Sequence, residues 1–271
     1  MESFPASLVL AGAGKMGGAM LRAWLGRGLP PGAICVMDPD PGEGIAKLAT
    51  DSGFALNPPT TTAPQVLVLA IKPQALHEAA PTLTRLAGPN TLVISILAGK
   101  TIANVRARLP DAGAIVRAMP NLPAAVGRGV TGLAAEPGAS TAQRAMAESL
   151  MAATGAVVFV DDERLIDAVT AVSGSGPAYV FYLTECLAEA GVALGLPADV
   201  AARLARATVE GAGELLFQCG GQTPAQLRES VTSRGGTTAA ALEVLMAEDG
   251  LAPLIARTAR AAQRRAEALS G

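Results

Sequence analysis

The stretch that decides the fold is LVLAGAGKMG, residues 8–17 of a chain of 271 residues. Its first four residues predict a short buried strand, and the G-x-G-x-x-G run after them opens a helix over Gly18–Leu25. Ala33–Met37 predicts a second strand, which Asp38 closes. A strand, a glycine-rich turn, a helix and a second strand in this order are typical of a Rossmann-type sheet, and they predict a dinucleotide site.

The glycines of this run have separate expected roles at the dinucleotide. Gly12 allows the tight turn, Gly14 lets the backbone approach a pyrophosphate, and Gly17 permits close packing of helix on strand. Asp38 lies where an acid usually accepts hydrogen bonds from a ribose 2′-hydroxyl and repels a 2′-phosphate, which favours NADH. The prolines on either side of Asp40 allow the opposite outcome, in which Asp38 points away. The residues alone therefore leave the choice between NADH and NADPH open.

The rest of the first half continues the alternation of strands and helices. Val66–Ile71 is apolar throughout, as expected for a strand of a parallel sheet that is buried on both faces. Further strands are predicted at Thr91–Ile96, Ile115–Met119, Val130–Ala135 and Ala156–Val160, with a helix over Thr141–Ala153. This order predicts an α/β fold with a doubly wound sheet.

Three polar residues stand near the ends of these strands, where such sheets bind ligands. Lys72 either reaches a phosphate or lies in solvent. Asn121, in the turn Pro120–Pro123, binds either a ligand or its own backbone. His77, the only histidine, is expected on the surface of a short helix.

Composition excludes several classes of function. The formal net charge is −2 and there is no basic block, so a nucleic-acid partner is not expected. The apolar run near the N-terminus is too short for a signal peptide or a membrane span. Cys35, Cys186 and Cys219 are widely spaced, which argues against a disulfide framework and favours a reducing, cytoplasmic location. No metal site is expected.

From Arg164 onward the pattern is helical, and no strand is predicted after Val160. The helix over Ala178–Leu194 is apolar almost all round, which predicts that it is buried. Further helices are predicted at Leu165–Ser173, Ala198–Phe217, Pro224–Glu229, Thr238–Glu248 and Leu251–Leu269. Their small side chains bury little area, so the helical half is expected to need a partner subunit. The predicted domains are a Rossmann domain at 1–162 and a helical dimerisation and substrate domain at 163–271.

The stretch TSRGGTT, residues 232–238, places two glycines between hydroxyl side chains ahead of a helix. Unpaired backbone N–H groups at a helix start favour an anion, and glycines let it approach the backbone closely. The stretch is therefore either a site for a small anion such as a carboxylate or a capped helix after a glycine turn.

Taken together, these residues resemble the pyrroline-5-carboxylate reductase family over essentially the whole chain. The most specific stretches are VSGSGPAYVF at 172–181 and VTSRGGTT at 231–238, with AIKPQ at 70–74, RAMPN at 117–121 and the loop Gly12–Gly17 beside them. The resemblance implies reduction of the cyclic imine 1-pyrroline-5-carboxylate to L-proline, the last step of proline biosynthesis. It also implies NADPH as the cofactor, with NADH possible, and a homo-oligomer built from dimers through the C-terminal helices.

The resemblance also implies a set of site residues. Expected cofactor contacts are Gly12, Gly14, Lys15, Met16, Asp38, Asn57, Ala70, Lys72, Pro73, Ala98 and Asn121. Expected substrate contacts are Val231, Ser233, Gly235, Gly236, Thr237 and Thr238. Among these, the family suggests Thr238 as the catalytic hydroxyl that faces the ring nitrogen.

Two residues depart from the family pattern. Arg234 stands where the family usually has proline, and Thr223 stands where many members have histidine. Arg234 either strengthens carboxylate binding or points to solvent.

Two other functions are argued against by the sequence. A hydroxyacid dehydrogenase would commonly use a lysine on a C-terminal helix, and this chain has no lysine after Lys100. A non-catalytic dinucleotide sensor would need no second anion site, whereas Ser233–Thr238 predicts one.

Overall fold

The computed structural model describes residues 4–59 and 62–270. The chain forms two compact units, one of residues 4–174 together with 262–270, and one of residues 175–261. The predicted domain boundary after residue 162 remains a prediction.

The first unit contains an eight-stranded sheet with the strand order β3-β2-β1-β4-β5-β6-β7-β8. The strands are β1 Leu8–Ala11, β2 Ile34–Met37, β3 Ala55–Leu56, β4 Val66–Leu69, β5 Leu92–Ser95, β6 Ala114–Met119, β7 Gly129–Ala135 and β8 Gly155–Phe159. Strands β1 to β6 all pair in parallel, which confirms the predicted α/β architecture. The order reverses between β1 and β4, and this reversal is the switch point at which such sheets bind ligands.

Two features of the sheet were not predicted. β3 has only two residues and carries no apolar run, so periodicity does not reveal it. β7 runs antiparallel to β6, with Met119 opposite Gly132, and the predicted doubly wound sheet did not specify the direction of this strand. The two strands are joined by a short 3-10 helix over Leu122–Val126, and that short connection leaves no room for a parallel crossover.

Helices cover both faces of the sheet, and each face has its own apolar core. The helices of the first unit are α1 Lys15–Gly26, α2 Gly42–Ser52, α3 Leu76–Thr84, α4 Ile102–Arg106, α5 Thr141–Ala152 and α6 Leu165–Val169. Trp24 on α1 is fully buried and its indole N–H donates to the Leu150 carbonyl at 2.8 Å, so α1 and α5 cover the same face. His77 is exposed on α3, as predicted. The helix predicted through Ser173 changes at Thr170 into a π-helix over Thr170–Gly174.

The second unit is helical, and its bounds agree with the predicted ones to within three residues. It contains α7 Gly176–Ala193, α8 Ala198–Gln218, α9 Pro224–Ser230, α10 Thr237–Leu245 and the first part of α11, which runs over Leu251–Ser270. α7 and α8 pack closely because Gly191 faces Ala201: a Cβ added to the glycine would lie 3.1 Å from the alanine Cβ.

The prediction that the apolar helix α7 is buried is wrong for a single chain. None of its residues is buried, and Phe181, Tyr182 and Leu183 are each more than half exposed. Among residues 175–261, only Ala201 and Ala205 are buried. Apolar composition predicts that a helix seeks burial, but it does not tell whether the same chain supplies the cover.

Candidate functional site

The strands meet at one edge of the sheet, where the first half of the predicted site lies. Ala11 of β1 pairs with Met37 of β2 and with Leu69 of β4, and Leu69 pairs with Ser95 of β5. The residues that follow these strand ends therefore converge on the carboxyl edge, next to the switch point. They include most of the predicted cofactor contacts: Gly12, Gly14, Asp38, Ala70, Lys72, Pro73 and Ala98.

The glycine-rich loop has the geometry of a phosphate cradle. Gly12 has a φ of +92°, and a Cβ there would lie 2.6 Å from the Ala70 carbonyl oxygen. A Cβ on Gly17 would lie 2.2 Å from the Gly12 carbonyl oxygen, so the loop and α1 touch through backbone. Gly14 is exposed, and a Cβ added to it would meet no atom within 4 Å. The start of α1, with Lys15 and Met16, thus presents N–H groups to open space, and this arrangement fits a dinucleotide pyrophosphate.

Asp38 does not turn away from the loop. Its Oδ2 accepts a hydrogen bond from the Ala13 N–H at 2.6 Å, and its Oδ1 accepts from the Asp40 N–H at 2.9 Å. Asn57 holds the backbone of Asp38 from the other side, because its Oδ1 accepts from the Asp38 N–H at 2.9 Å and its Nδ2 donates to the Asp38 carbonyl at 2.7 Å. Asn57 has a left-handed φ of 47°, which asparagine tolerates. Its side chain positions Asp38, and a direct cofactor contact by Asn57 stays a prediction.

The loops after β4 and β5 supply the other side of this edge. Ala70 donates its N–H to the Ala11 carbonyl at 2.7 Å, so its backbone lies against the glycine-rich loop. Lys72 is exposed in extended conformation just before a 3-10 helix that begins at Pro73. Ala98 is exposed after β5. These positions are open to a ligand.

Asn121 is held by the protein itself. It is 8% exposed, its Nδ2 donates to the Ser173 carbonyl at 3.1 Å, and its Oδ1 accepts from the Val130 N–H at 2.9 Å. The backbone groups that it bonds belong to Ser173 and Val130 and not to its own turn, so the observed bonding differs from both expectations. The side chain therefore ties β6 to the π-helix, and a cofactor contact at this residue, which stays a prediction, would fall to its backbone.

A buried arginine near this edge was missed by the sequence analysis as a functional element. Arg117 on β6 is 4% exposed, and its guanidinium pairs with Glu163 at 3.2 Å and with Asp167 at 3.4 Å. The Ser270 hydroxyl donates to Asp167 at 3.2 Å, which attaches the end of α11 to the same group. Glu163 also accepts from the Ile102 N–H at 2.7 Å, at the start of α4. The sequence carried one signal for this network: a single charged residue stands inside an apolar strand, and two acids four residues apart follow later in the chain.

This network also reaches the loop that carries Ala98. Gly99 has a φ of +70°, and a Cβ there would lie 2.8 Å from the Leu269 carbonyl oxygen. The last turn of α11 thus packs on the loop between β5 and α4, while Arg117 and its acids hold both ends of that contact. The network fixes one wall of the carboxyl edge.

Arg117→Met is expected to lower the free energy of unfolding by about 3 kcal/mol, because two acids lose their cation inside the protein. Urea unfolding of the variant measures the change. The control is Arg164→Met, which removes an exposed arginine whose side chain donates to Asp162 and holds the pKa of that carboxyl below its ordinary value. Unfolding of the control should match the original protein, and an equally stable Arg117 variant would contradict the prediction.

The second half of the predicted site is the turn between α9 and α10. Gly235 has a φ of +72°, and the Gly236 N–H donates to the Ser233 carbonyl at 3.0 Å, which closes the turn. Gly236 caps α10, so Thr237 and Thr238 begin the helix and their N–H groups have no intrahelical partner. A Cβ on Gly236 would lie 2.4 Å from the Ser233 hydroxyl oxygen. The hydroxyl, the glycines and the helix start therefore share one small, accessible surface.

The two departures from the family pattern lie at this turn and at the start of α9. Arg234 is exposed within the turn, next to Ser233. Thr223 caps α9, because its hydroxyl accepts from the Gln226 N–H at 3.2 Å. Thr223 thus has a structural task in α9. Val231, also a predicted substrate contact, is exposed directly after α9.

Residues 4–59 and 62–270 hold no group of three or more His, Cys, Asp or Glu side chains arranged for a metal ion. Across the same residues, no helix has the length and apolar character needed to cross a bilayer.

Comparisons with known proteins match both halves of the chain to known families. Residues 163–269 match the family model described as pyrroline-5-carboxylate reductase dimerisation. Residues 7–99 match the model described as NADP oxidoreductase, coenzyme F420-dependent. The chain is 37% identical to pyrroline-5-carboxylate reductase from Pseudomonas aeruginosa, over 97% of this chain and 96% of the relative. It is 47% identical to the enzyme of the same name from Synechocystis, over 76% of this chain and 75% of the relative.

Solved structures show the same relationship. A pyrroline-5-carboxylate reductase from Coxiella burnetii has a TM-score of 0.90 and 34% identity, and the match covers 98% of this chain and 99% of that one. The Plasmodium falciparum pyrroline carboxylate reductase, solved with NADP bound, has a TM-score of 0.76 and 24% identity over the full length of both chains, and shows the fold. The Rossmann-type sheet, the helical second half and these full-length relatives together place the chain in the pyrroline-5-carboxylate reductase family.

Proposed function

We propose that this protein reduces 1-pyrroline-5-carboxylate to L-proline with a reduced nicotinamide dinucleotide, the last step of proline biosynthesis. The observation that carries the proposal is the exposed turn at Ser233–Thr238, a glycine-rich helix start suited to an anion, in a chain whose glycine-rich loop suits a dinucleotide. The substrate is a small cyclic imine with one carboxylate, so it needs one anion site and one hydride donor. Family membership over nearly the whole chain supports the same reaction.

The reaction uses NADPH or NADH as its cofactor, and the bound dinucleotide would supply the hydride that the imine carbon accepts. The N–H groups at the start of α1 and the Gly14 backbone would hold its pyrophosphate. Lys15 and Lys72 would add positive charge at the phosphates, and Ala70, Pro73 and Ala98 would line the path toward the nicotinamide.

The turn at residues 233–238 would hold the substrate carboxylate. The Thr237 and Thr238 N–H groups lie at the positive end of the α10 dipole, and the Ser233 and Thr237 hydroxyls add donors. Gly235 and Gly236 bring the backbone close, because they carry no side chain in front of the ligand. With the carboxylate fixed, rotation and translation of the ring are restricted, and much of the rate enhancement follows from this positioning.

Thr238 is the residue we assign to the ring nitrogen. The imine is most reactive when its nitrogen is protonated, and a protonated imine can arrive from water. The Thr238 hydroxyl is a weak acid, so its task is to bond and orient that nitrogen rather than to supply the proton alone. It is half-buried in the first turn of α10, beside the carboxylate clamp.

The direct test is the oxidation of NADPH and of NADH, followed optically, when pyrroline-5-carboxylate is added to the purified protein. Formation of proline should match the dinucleotide consumed. If neither dinucleotide is consumed at any substrate concentration, the proposed reaction is wrong.

Thr238→Ala is expected to lower kcat about 10- to 100-fold while the Kd for the dinucleotide stays near its original value. Thr238→Ser keeps the hydroxyl and should restore most of the rate. The matched control is Thr50→Ala, which removes an exposed threonine hydroxyl from α2. Unchanged turnover in Thr238→Ala would remove this residue from the mechanism.

The proposal includes a homodimer formed through the C-terminal helices, from which larger oligomers are built. The nearly coreless second unit supports it, as does the match of residues 163–269 to a dimerisation family model. On the same grounds we propose that residues 1–162 form the cofactor-binding domain and that residues 163–271 form the dimerisation and substrate domain.

A cytoplasmic location is supported by the cysteines, since none of the three forms a disulfide in the described chain. With a net charge of −2, no nucleic-acid partner is proposed.

A further inference from the structure

We propose that Asp38 sets the choice between the two nicotinamide dinucleotides and makes this chain bind NADH more tightly than NADPH. The inference rests on the proposed function, because it concerns the dinucleotide that the reaction requires. The two cofactors differ at one place, where NADPH carries a phosphate on the 2′-oxygen of its adenosine ribose. The choice must therefore be made by residues at that oxygen.

The position of Asp38 fits this task. In a Rossmann unit, the adenosine ribose lies between the glycine-rich turn and the end of the second strand. Asp38 follows β2 directly, and its Oδ2 is bonded to the Ala13 N–H inside that turn. The carboxylate therefore spans the space from β2 to the turn, where a ribose 2′-oxygen would lie.

The hydrogen bonds of Asp38 leave it ready to accept more. A carboxylate has about four acceptor sites, and the Ala13 and Asp40 N–H groups occupy one on each oxygen. The remaining sites suit the hydroxyl of NADH, which donates a proton. A 2′-phosphate offers only negative oxygens at neutral pH, so it would meet like charge without a hydrogen bond. Asn57 pins the Asp38 backbone at both its N–H and its carbonyl, so the carboxylate cannot retreat with the loop.

The charges around this carboxylate add to the effect. Residues 38–46 hold three acids, Asp38, Asp40 and Glu43, and no lysine or arginine. Lys47, the first base after them, pairs with Asp51 at 2.9 Å on the next turn of α2.

One arginine lies close to this segment from another helix. Arg22 of α1 is exposed, and its guanidinium lies 3.6 Å from the position of a Cβ on Gly44, near the start of α2. It is the cation that a 2′-phosphate would use, so the test includes it. Lys15 stands at the start of α1, where it serves the pyrophosphate that both cofactors share.

The test measures the Kd of NADH and of NADPH by titration calorimetry, without substrate. The original protein should bind NADH at least about tenfold more tightly than NADPH. Asp38→Asn removes the charge but keeps an oxygen for the Ala13 N–H, and it should strengthen NADPH binding about tenfold with little change for NADH. Asp51→Asn removes an equal charge from the far part of α2, and its ratio of Kd values should match the original.

Two results would overturn the proposal. One is equal or tighter binding of NADPH by the original protein, and loss of that binding in Arg22→Ala would then assign the choice to Arg22. The other is an unchanged Kd ratio in a folded Asp38→Asn protein. If that variant does not fold, competition of adenosine 5′-monophosphate and adenosine 2′,5′-bisphosphate against NADH on the original protein decides, and equal or stronger competition by the bisphosphate contradicts the proposal. Because these are binding measurements, NADH binding without imine reduction would count against the proposed reaction and leave this inference standing.

Discussion

Replacing Gly17 by alanine is expected to abolish dinucleotide binding and to lower the free energy of unfolding by about 3 kcal/mol. The new Cβ would lie 2.2 Å from the Gly12 carbonyl oxygen and 3.2 Å from the Ala70 Cβ. Both neighbours are fixed, because the Gly12 N–H donates to the Met37 carbonyl at 2.8 Å and Ala70 is bonded to β1. Helix α1 must then move off the sheet, and the N–H groups that would hold the pyrophosphate move with it. Calorimetric titration with NADPH and NADH and urea unfolding measure the two effects.

Two other glycines separate binding from folding in this test. Gly14 has a φ of −64°, and a Cβ there would meet no atom within 4 Å, so Gly14→Ala should fold as well as the original protein. Its methyl group would stand where the pyrophosphate approaches, and the Kd of both dinucleotides should rise about 10- to 100-fold. Gly26→Ala, at the other end of α1, also meets open space and should change neither quantity. If Gly17→Ala bound NADPH as tightly as Gly26→Ala does, the cradle would be elsewhere.

The fold of the first half could be predicted because local signals and the global fold agree there. The apolar run at Val66–Leu69 is fully buried, and the glycines of the first turn have the close contacts that their residue type suggests. The reversal of β7 could not be predicted from apolar runs, since a strand has the same pattern in either direction. The helix α2, with Gly42 and Gly44 in its first turn, has a weak pattern and was missed for that reason.

The candidate site shows a similar division between residue type and geometry. Parts of the site that depend on backbone conformation, such as the helix start at Thr237, were predicted because glycine and threonine residues mark them in the sequence. The partners of polar side chains were not, because they depend on residues far away in sequence. Asn121 bonds to Val130 and Ser173, and Arg117 pairs with acids some 50 positions onward. Only the three-dimensional structure distinguishes a side chain free for a ligand from one already held by the protein.

The exposed face of α7 is the feature that one chain leaves unexplained. Phe181 and Leu183 are 54% and 52% exposed, and the following helix α8 ends in Leu215, Leu216 and Phe217, each about half exposed. Exposed apolar patches of this extent mark protein interfaces. Only Ala201 and Ala205 are buried among residues 175–261, so in the proposed dimer we expect a second copy to supply most of the core of this unit. Folding of the helices and association of subunits should therefore be one event.

Leu183→Asp is expected to weaken dimer association by about 1,000-fold or more. The aspartate would lose its hydration in an apolar interface, and a two-fold symmetric dimer contains the substitution twice. At micromolar concentration, sedimentation should show monomers, circular dichroism should show lost helix, and imine reduction should fall below about 1% of the original because α10 loses its support. Leu183→Met keeps size and apolar character at the same position, and it should remain dimeric and active. If Leu183→Asp sediments as a dimer with full helical content, α7 does not form the interface and the second unit must be covered along another face.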